Sequence, residues 1–150
     1  MSNFKDDIKT IIKWTLKKMN MYSKDAAAMV YTTGMAESKY RHLSQMGTGP
    51  AVGFFQVEPA TARDIITNYV SYRKPILKSL QDLGYKEDDM LYRIKSNIAL
   101  QVAFCRLKYR RDPFPVPKAH DKEGQAEYWK RVYNTELGKG TIKHYLDANG

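Results

Sequence analysis

The chain has 150 residues, 43% of them hydrophobic and 27% charged, with 25 basic against 16 acidic side chains for a formal charge of +9. That length buries about 68–70% of the unfolded surface, enough for one core without staples, and the apolar content excludes wholesale disorder. One cysteine, Cys105, excludes an internal disulfide, and the scattered histidines His42, His120 and His144 exclude a zinc module. No apolar run approaches the roughly 20 residues of a membrane span. The first residues, with Asp6 and Asp7 among lysines, resemble neither a signal nor a transit peptide. The expectation is a protein made in the cytoplasm, with an anionic partner: nucleic acid, acidic lipid or a wall polymer.

Helical periodicity dominates the pattern. Phe4, Ile8, Ile11, Ile12, Leu16 and Met19 form one stripe, opened by Ser2 and Asn3 and closed by Lys17 and Lys18. A second helix is predicted from a Ser23 cap to about Glu37. Thr48 to Pro50 is rich in breakers, and Gly53-Phe54-Phe55-Gln56-Val57 reads as a short extended piece. Pro59 suits the first position of a helix running towards Val70. Shorter helices are predicted over 76–83, stopping at Gly84, and over 125–133 and 142–146. The longest is predicted over 89–110, with Ile94, Ile98, Val102, Cys105 and Tyr109 on one face, ended by Pro113, Pro115 and Pro117. The fold class is therefore mainly α, a single domain over 1–150 with a small extended or β-hairpin element near 50–58.

The informative carboxylate is Glu37. Ala26, Val30, Thr33 and Glu37 recur at i, i+4, i+7 and i+11, so the acid shares an apolar stripe at a helix end, before a polar loop. Desolvation there raises a carboxyl pKa, the condition for a general acid near neutral pH. The competing reading is an exposed glutamate at a frayed end. The other constellations carry less. His120-Asp121 lacks a serine or cysteine nucleophile, Cys105 sits on an apolar face, and Arg106, Lys108, Arg110 and Arg111 read as a solvated helix end or, alternatively, a contact for anionic wall polymers or nucleic acid.

Glu37-Ser38, then Gly53-Phe54-Phe55-Gln56 and Pro59-Ala60-Thr61-Ala62, and finally Tyr133-Asn134 form an ordered set. It resembles the lysozyme-like lytic transglycosylases, whose elements are Glu-Ser, Gly-Leu-Met-Gln, Pro-x-Thr-Ala and Ala-Tyr-Asn. Here phenylalanines replace Leu and Met, and Val132 replaces Ala. Asn97-Ile98 echoes a further family position, and the likeness spans about Asp25 to Tyr145. Gly49-Pro50-Ala51, Tyr133-Asn134-Thr135 and Gly138-Lys139-Gly140-Thr141 resemble phage-encoded members.

The resemblance implies an α+β lysozyme-like domain that cleaves peptidoglycan glycan strands, without cofactor or metal. Glu37 would protonate the oxygen joining N-acetylmuramic acid to N-acetylglucosamine. Ser38 would support the helix end beside the substrate, and Gly53 would let backbone approach the sugar. Phe55 and Gln56 would line the groove, Tyr133 would orient the acid, and Asn134 would meet the substrate's amides. The alternation of Phe54 and Phe55 allows only one ring to face the groove. Goose-type lysozymes carry an aspartate where this chain has Glu58, which keeps open a hydrolytic reading with Glu58 positioning water. Glu58 alternatively complements the dipole of the helix that follows. The resemblance also implies a wall-acting phage protein, released by a holin or carried in the virion; the sequence leaves the oligomeric state open, with a monomer favoured. The rivals are a non-catalytic wall-binding virion protein and a basic nucleic-acid binder.

Overall fold

The computed structural model describes residues 3–44, 49–134 and 138–149; Ser2, Thr48 and Thr135 lie outside them. Helix α1 spans Phe4–Lys18 and α2 spans Lys24–Glu37. The cap residues fix where each begins. Asn3 accepts from the amide of Asp6 at 2.9 Å, and Ser23 from that of Ala26 at 3.0 Å, supplying partners for amides that no helical carbonyl reaches. Helix α3 covers Pro59–Asn68 with proline in its first turn, followed by a 3₁₀ turn at Val70–Tyr72 and α4 at Lys74–Asp82. Gly84, at φ +109°, follows the end of α4.

The long helix predicted over 89–110 is two helices, α5 at Met90–Ser96 and α6 at Ile98–Arg110. Asn97 breaks it by leaving helical geometry (φ −134°, ψ 103°). Its carboxamide oxygen caps the amide of Leu100 at 3.1 Å, while its nitrogen donates to the carbonyl of Leu83 at 2.8 Å. At the end of α5 the Ile94 carbonyl accepts the Asn97 amide at 3.3 Å, and Gln101 Nε2 adds bonds to Ile94 at 2.9 Å and to Lys95 at 3.0 Å. Beyond the prolines, α7 covers Lys122–Tyr128 and widens into a π-helical turn at Trp129–Asn134, and α8 covers Ile142–Asn149.

Helix α6 is the axis of the domain, touching α1, α2, α3, α5 and the π turn, while α8 closes on α2 and α7. One core follows, in which Ile8, Ile12, Leu16, Met29, Ile65, Phe104, Tyr109, Trp129 and Tyr145 are essentially inaccessible. No helix among the described residues is long and apolar enough to cross a membrane.

The extended or β-hairpin element expected near 50–58 is not formed, and the described residues contain no β-strand. Two isolated antiparallel bridges stand there instead, Ser44 with Val52 and Val52 with Val57, the second closing a tight turn through amide-to-carbonyl bonds of 3.0 and 3.1 Å. Gly53 (φ +82°) and Gln56 (φ 52°) hold the turn's left-handed positions. Pairing stops there because Pro59 starts α3 two residues later. The alternation expected of Phe54 and Phe55 fails for the same reason. In a turn both rings point inward, Phe55 fully buried and Phe54 nearly so, edge-on to Tyr40 at 5.8 and 5.6 Å.

Candidate active site

Glu37 ends α2 half-buried rather than frayed into solvent. The helix end is fastened by Ser38, whose hydroxyl donates to the carbonyl of Phe54 at 2.7 Å and accepts from the amide of Tyr40 at 3.1 Å. The acid's Oε2 accepts the indole Nε1–H of Trp129 at 3.2 Å. Burial raises the Glu37 pKa above the ordinary carboxylate value; the Trp129 bond and the charges of Lys108 and His144 oppose that rise.

Glu37 opens onto a cleft of about 480 Å³ whose walls include Gln56, Glu58, Thr61, Lys108, Tyr133 and Asn134. Four sequence elements far apart in the chain thus meet around one carboxyl. Glu58 stands exposed at the N-cap of α3 and makes no side-chain cap bond. Gln56 is half-buried; its Nε2 donates to Gly53 at 2.9 Å across its own turn. Gly138 and Lys139 complete the rim. A Cβ at Gly140 would stand 2.4 Å from the Trp129 ring, and one at Gly138 would stand 2.3 Å from the Asn134 carbonyl. Glycine at both positions lets this segment lie against the acid's partner. A groove of the same volume beside Tyr85 and Tyr92 holds none of the candidate residues.

Several expected roles change. Phe55 does not line the groove with its ring, which is core; its backbone carbonyl instead accepts the Tyr133 hydroxyl at 2.7 Å. Tyr133 therefore spends its hydroxyl on the turn, and the hydrogen bond to the acid comes from Trp129. Ser38 is buried within backbone contacts and is not among the residues lining the cleft. Gly53 is buried too. Its left-handed φ makes the turn, and a Cβ there would meet the Gln101 side chain at 2.9 Å, so the close approach it permits is to protein. Asn134 stays on the cleft wall, its Oδ1 accepting from Lys130 Nζ at 2.8 Å.

The basic run 106–111 divides by helical geometry rather than acting as one solvated end. Arg110 and Arg111 are exposed, whereas Arg106 and Lys108 turn half-inward. The roles of the buried Trp129 behind the acid and of Lys108 on the cleft wall escaped the sequence reading. Each had a signal: Trp129 lies one helical turn before Tyr133, and Lys108 lies between Cys105 and Tyr109 on the margin of a buried face. Cys105 is buried, which pushes its thiol pKa up and leaves it unreactive. Asp121 caps α7 through the amide of Gly124 at 2.9 Å, so His120-Asp121 is a helix start. Among the described residues, no group of three or more His, Cys, Asp or Glu could hold a metal ion.

No protein-family model, curated protein or solved structure matches this chain.

Proposed function

We propose that the protein is a peptidoglycan glycosidase of the lytic transglycosylase kind, with Glu37 as its general acid. The observation that carries this reading is a half-buried carboxyl whose proton is favoured by desolvation, held by one indole donor and facing an open polar cleft. Glu37 gives its proton to the glycosidic oxygen, and the electron pair of the breaking C–O bond stays on that oxygen. The muramic acid's own hydroxyl then closes an anhydro ring at the vacated carbon and returns a proton to Glu37. The substrate's N-acetyl group assists, so no second carboxylate is required. Gln56 and Asn134 line the cleft, and in this reading they meet the sugar's amides. The charge of +9 concentrates the enzyme on an anionic wall, as suits a phage lysin released by a holin or carried in a virion.

One observation favours a hydrolytic variant: Glu58 lines the same cleft and has no capping duty. A second carboxylate so placed is what water activation uses. Mass spectrometry of fragments released from purified peptidoglycan separates the two. Anhydro-muramic ends are expected, with Glu58→Gln retaining activity. Reducing ends, one water heavier, together with loss of activity in Glu58→Gln, would assign hydrolysis. Glu37→Gln is expected to lower the rate by about 10²–10⁴-fold, the span of a general acid's contribution. Fragments released equally by the Glu37 variant would reject the mechanism. Wall binding without turnover in the wild type would leave a virion adhesin, and salt-sensitive DNA binding indifferent to Glu37 would point to a nucleic-acid binder.

A further inference from the structure

Lys108 stands in this cleft without an ordinary surface lysine's freedom. Helix α6 carries it between buried Cys105 and Tyr109, so its stem is half-buried, unlike that of exposed Arg110. Its Nζ donates to the carbonyl of Tyr133 at 2.6 Å and lies 4.0 Å from the centre of the Tyr133 ring. Tyr133 is itself fixed, stacked on Tyr109 at 5.2 Å and bonded to the turn through Phe55. The ammonium is thus held by a carbonyl and a ring face on the wall of the cleft that it shares with Glu37 and Glu58.

We infer that Lys108 is a positioning residue of the acid: it presents a fixed positive charge that stabilises the carboxylate left when Glu37 gives up its proton. The inference rests on the glycosidase reading. Lys108 keeps its own proton throughout and supplies no atom to the product. A preoriented charge in a partly water-excluded site stabilises charge that develops there more than a solvated one does. Of the other cations, His144 also opposes the rise of the Glu37 pKa and Lys139 lines the same cleft, but both are exposed, so neither presents a partly desolvated charge. His144, on α8, is exposed and bonded to the Ala36 carbonyl at 2.7 Å. Cys105 and Tyr133 are buried groups whose pKa values are raised, so they stay neutral. Glu58 is an anion of the wrong sign. Consistently, Lys108 opposes the burial-driven rise of the Glu37 pKa, while burial lowers that of Lys108 and Glu37 raises it.

The test compares the full-length wild type with Lys108→Met, Lys108→Arg and, as an outward-facing control on the same helix, Arg110→Met. Methionine keeps the unbranched stem that packs beside Tyr133, and thermal unfolding checks that each variant folds. Carbon-detected NMR of the glutamate carboxyls reads Glu37 directly, with Glu37→Gln assigning its signal. Lys108→Met is expected to move the Glu37 titration to higher pH, with Lys108→Arg returning it towards wild type and Arg110→Met leaving it in place. In glycan release, Lys108→Met should lower the plateau of kcat/KM about tenfold while its alkaline limb moves to higher pH. A Glu37 titration identical in wild type and Lys108→Met overturns the inference. So does a fall in rate with an unmoved limb, the mark of lost packing alone. If the wild type releases no glycan, the glycosidase reading falls and takes the catalytic part of the inference with it. The NMR titration still decides whether Lys108 acts on Glu37.

Discussion

Glu37 is stabilised as an acid and costly as an anion, and the two follow from one fact. A carboxyl whose native pKa lies above its unfolded value contributes stability below the unfolded carboxylate range, and loses it as pH rises through the native pKa. Glu37 is in that position because of burial. At neutral pH the native state therefore bears part of the cost of ionising it, despite the Trp129 hydrogen bond. Glu37→Gln is expected to be more stable than wild type at pH 7, on the order of 1 kcal/mol, with the difference vanishing below about pH 4, where the unfolded carboxyl is also protonated. Urea midpoints of both proteins at the two pH values check this. A Glu37→Gln variant no more stable at pH 7 would mean that the indole bond and Lys108 fully offset desolvation. Asn134 and Tyr133 show the limit of reasoning from residue type alone. Both belong to one expected element and both reach the cleft, yet the Tyr133 hydroxyl is bonded to a backbone carbonyl instead of the acid.

Between residues and the molecule, the decisive element is the Gly53–Gln56 turn with its clamp, Gln101. This buried amide accepts from the amide of Phe54 at 2.9 Å and donates to the last carbonyls of α5, joining the turn to the α5–α6 break. Replacing it with leucine removes the Gln101 bonds to the Phe54 N–H and the Lys95 C=O and leaves Ile94 C=O only its bond from the Asn97 amide. Gln101→Leu is expected to cost about 3 kcal/mol, read from denaturant unfolding, and to lower glycan release by displacing Gln56. Several helix starts were legible from a side chain close in sequence. Asn3, Ser23 and Pro59 start helices where the pattern predicts. The break at Asn97 was not, because Ile94, Ile98, Val102 and Cys105 maintain a helical stripe across it. What interrupts the helix is a bond from Asn97 to Leu83, set by how α4 packs.

At the scale of the whole molecule, charge acts over a longer range than any contact. A net +9 draws the protein to polyanionic surfaces, and the attraction weakens as salt shortens the screening length from about 10 Å at 0.1 M to about 3 Å at 1 M. Retention of Glu37→Gln on purified walls, which that variant leaves intact, is expected to fall steeply over this range. Salt-independent retention would instead assign wall affinity to the cleft's specific contacts. The helical frame around α6 makes the cleft possible, since α2, the turn before α3, α6 and the π turn each contribute one wall.

Composition and periodicity by themselves determined a mainly helical chain, most of its helix starts, the burial of its apolar stripes and the candidacy of Glu37. These are local properties: a stripe repeats within a few turns, and a cap acts on residues a few positions away. Only the tertiary structure decided what surrounds the acid. Trp129 reaches Glu37 across 92 residues of sequence, and Tyr133 reaches Phe55 across 78. It also turned both phenylalanines into the core and divided a basic run into two exposed arginines and two half-buried cations. The reason is geometric. Whether a side chain meets core, cleft or solvent depends on which helices close over it, and helix packing joins residues that no local period connects.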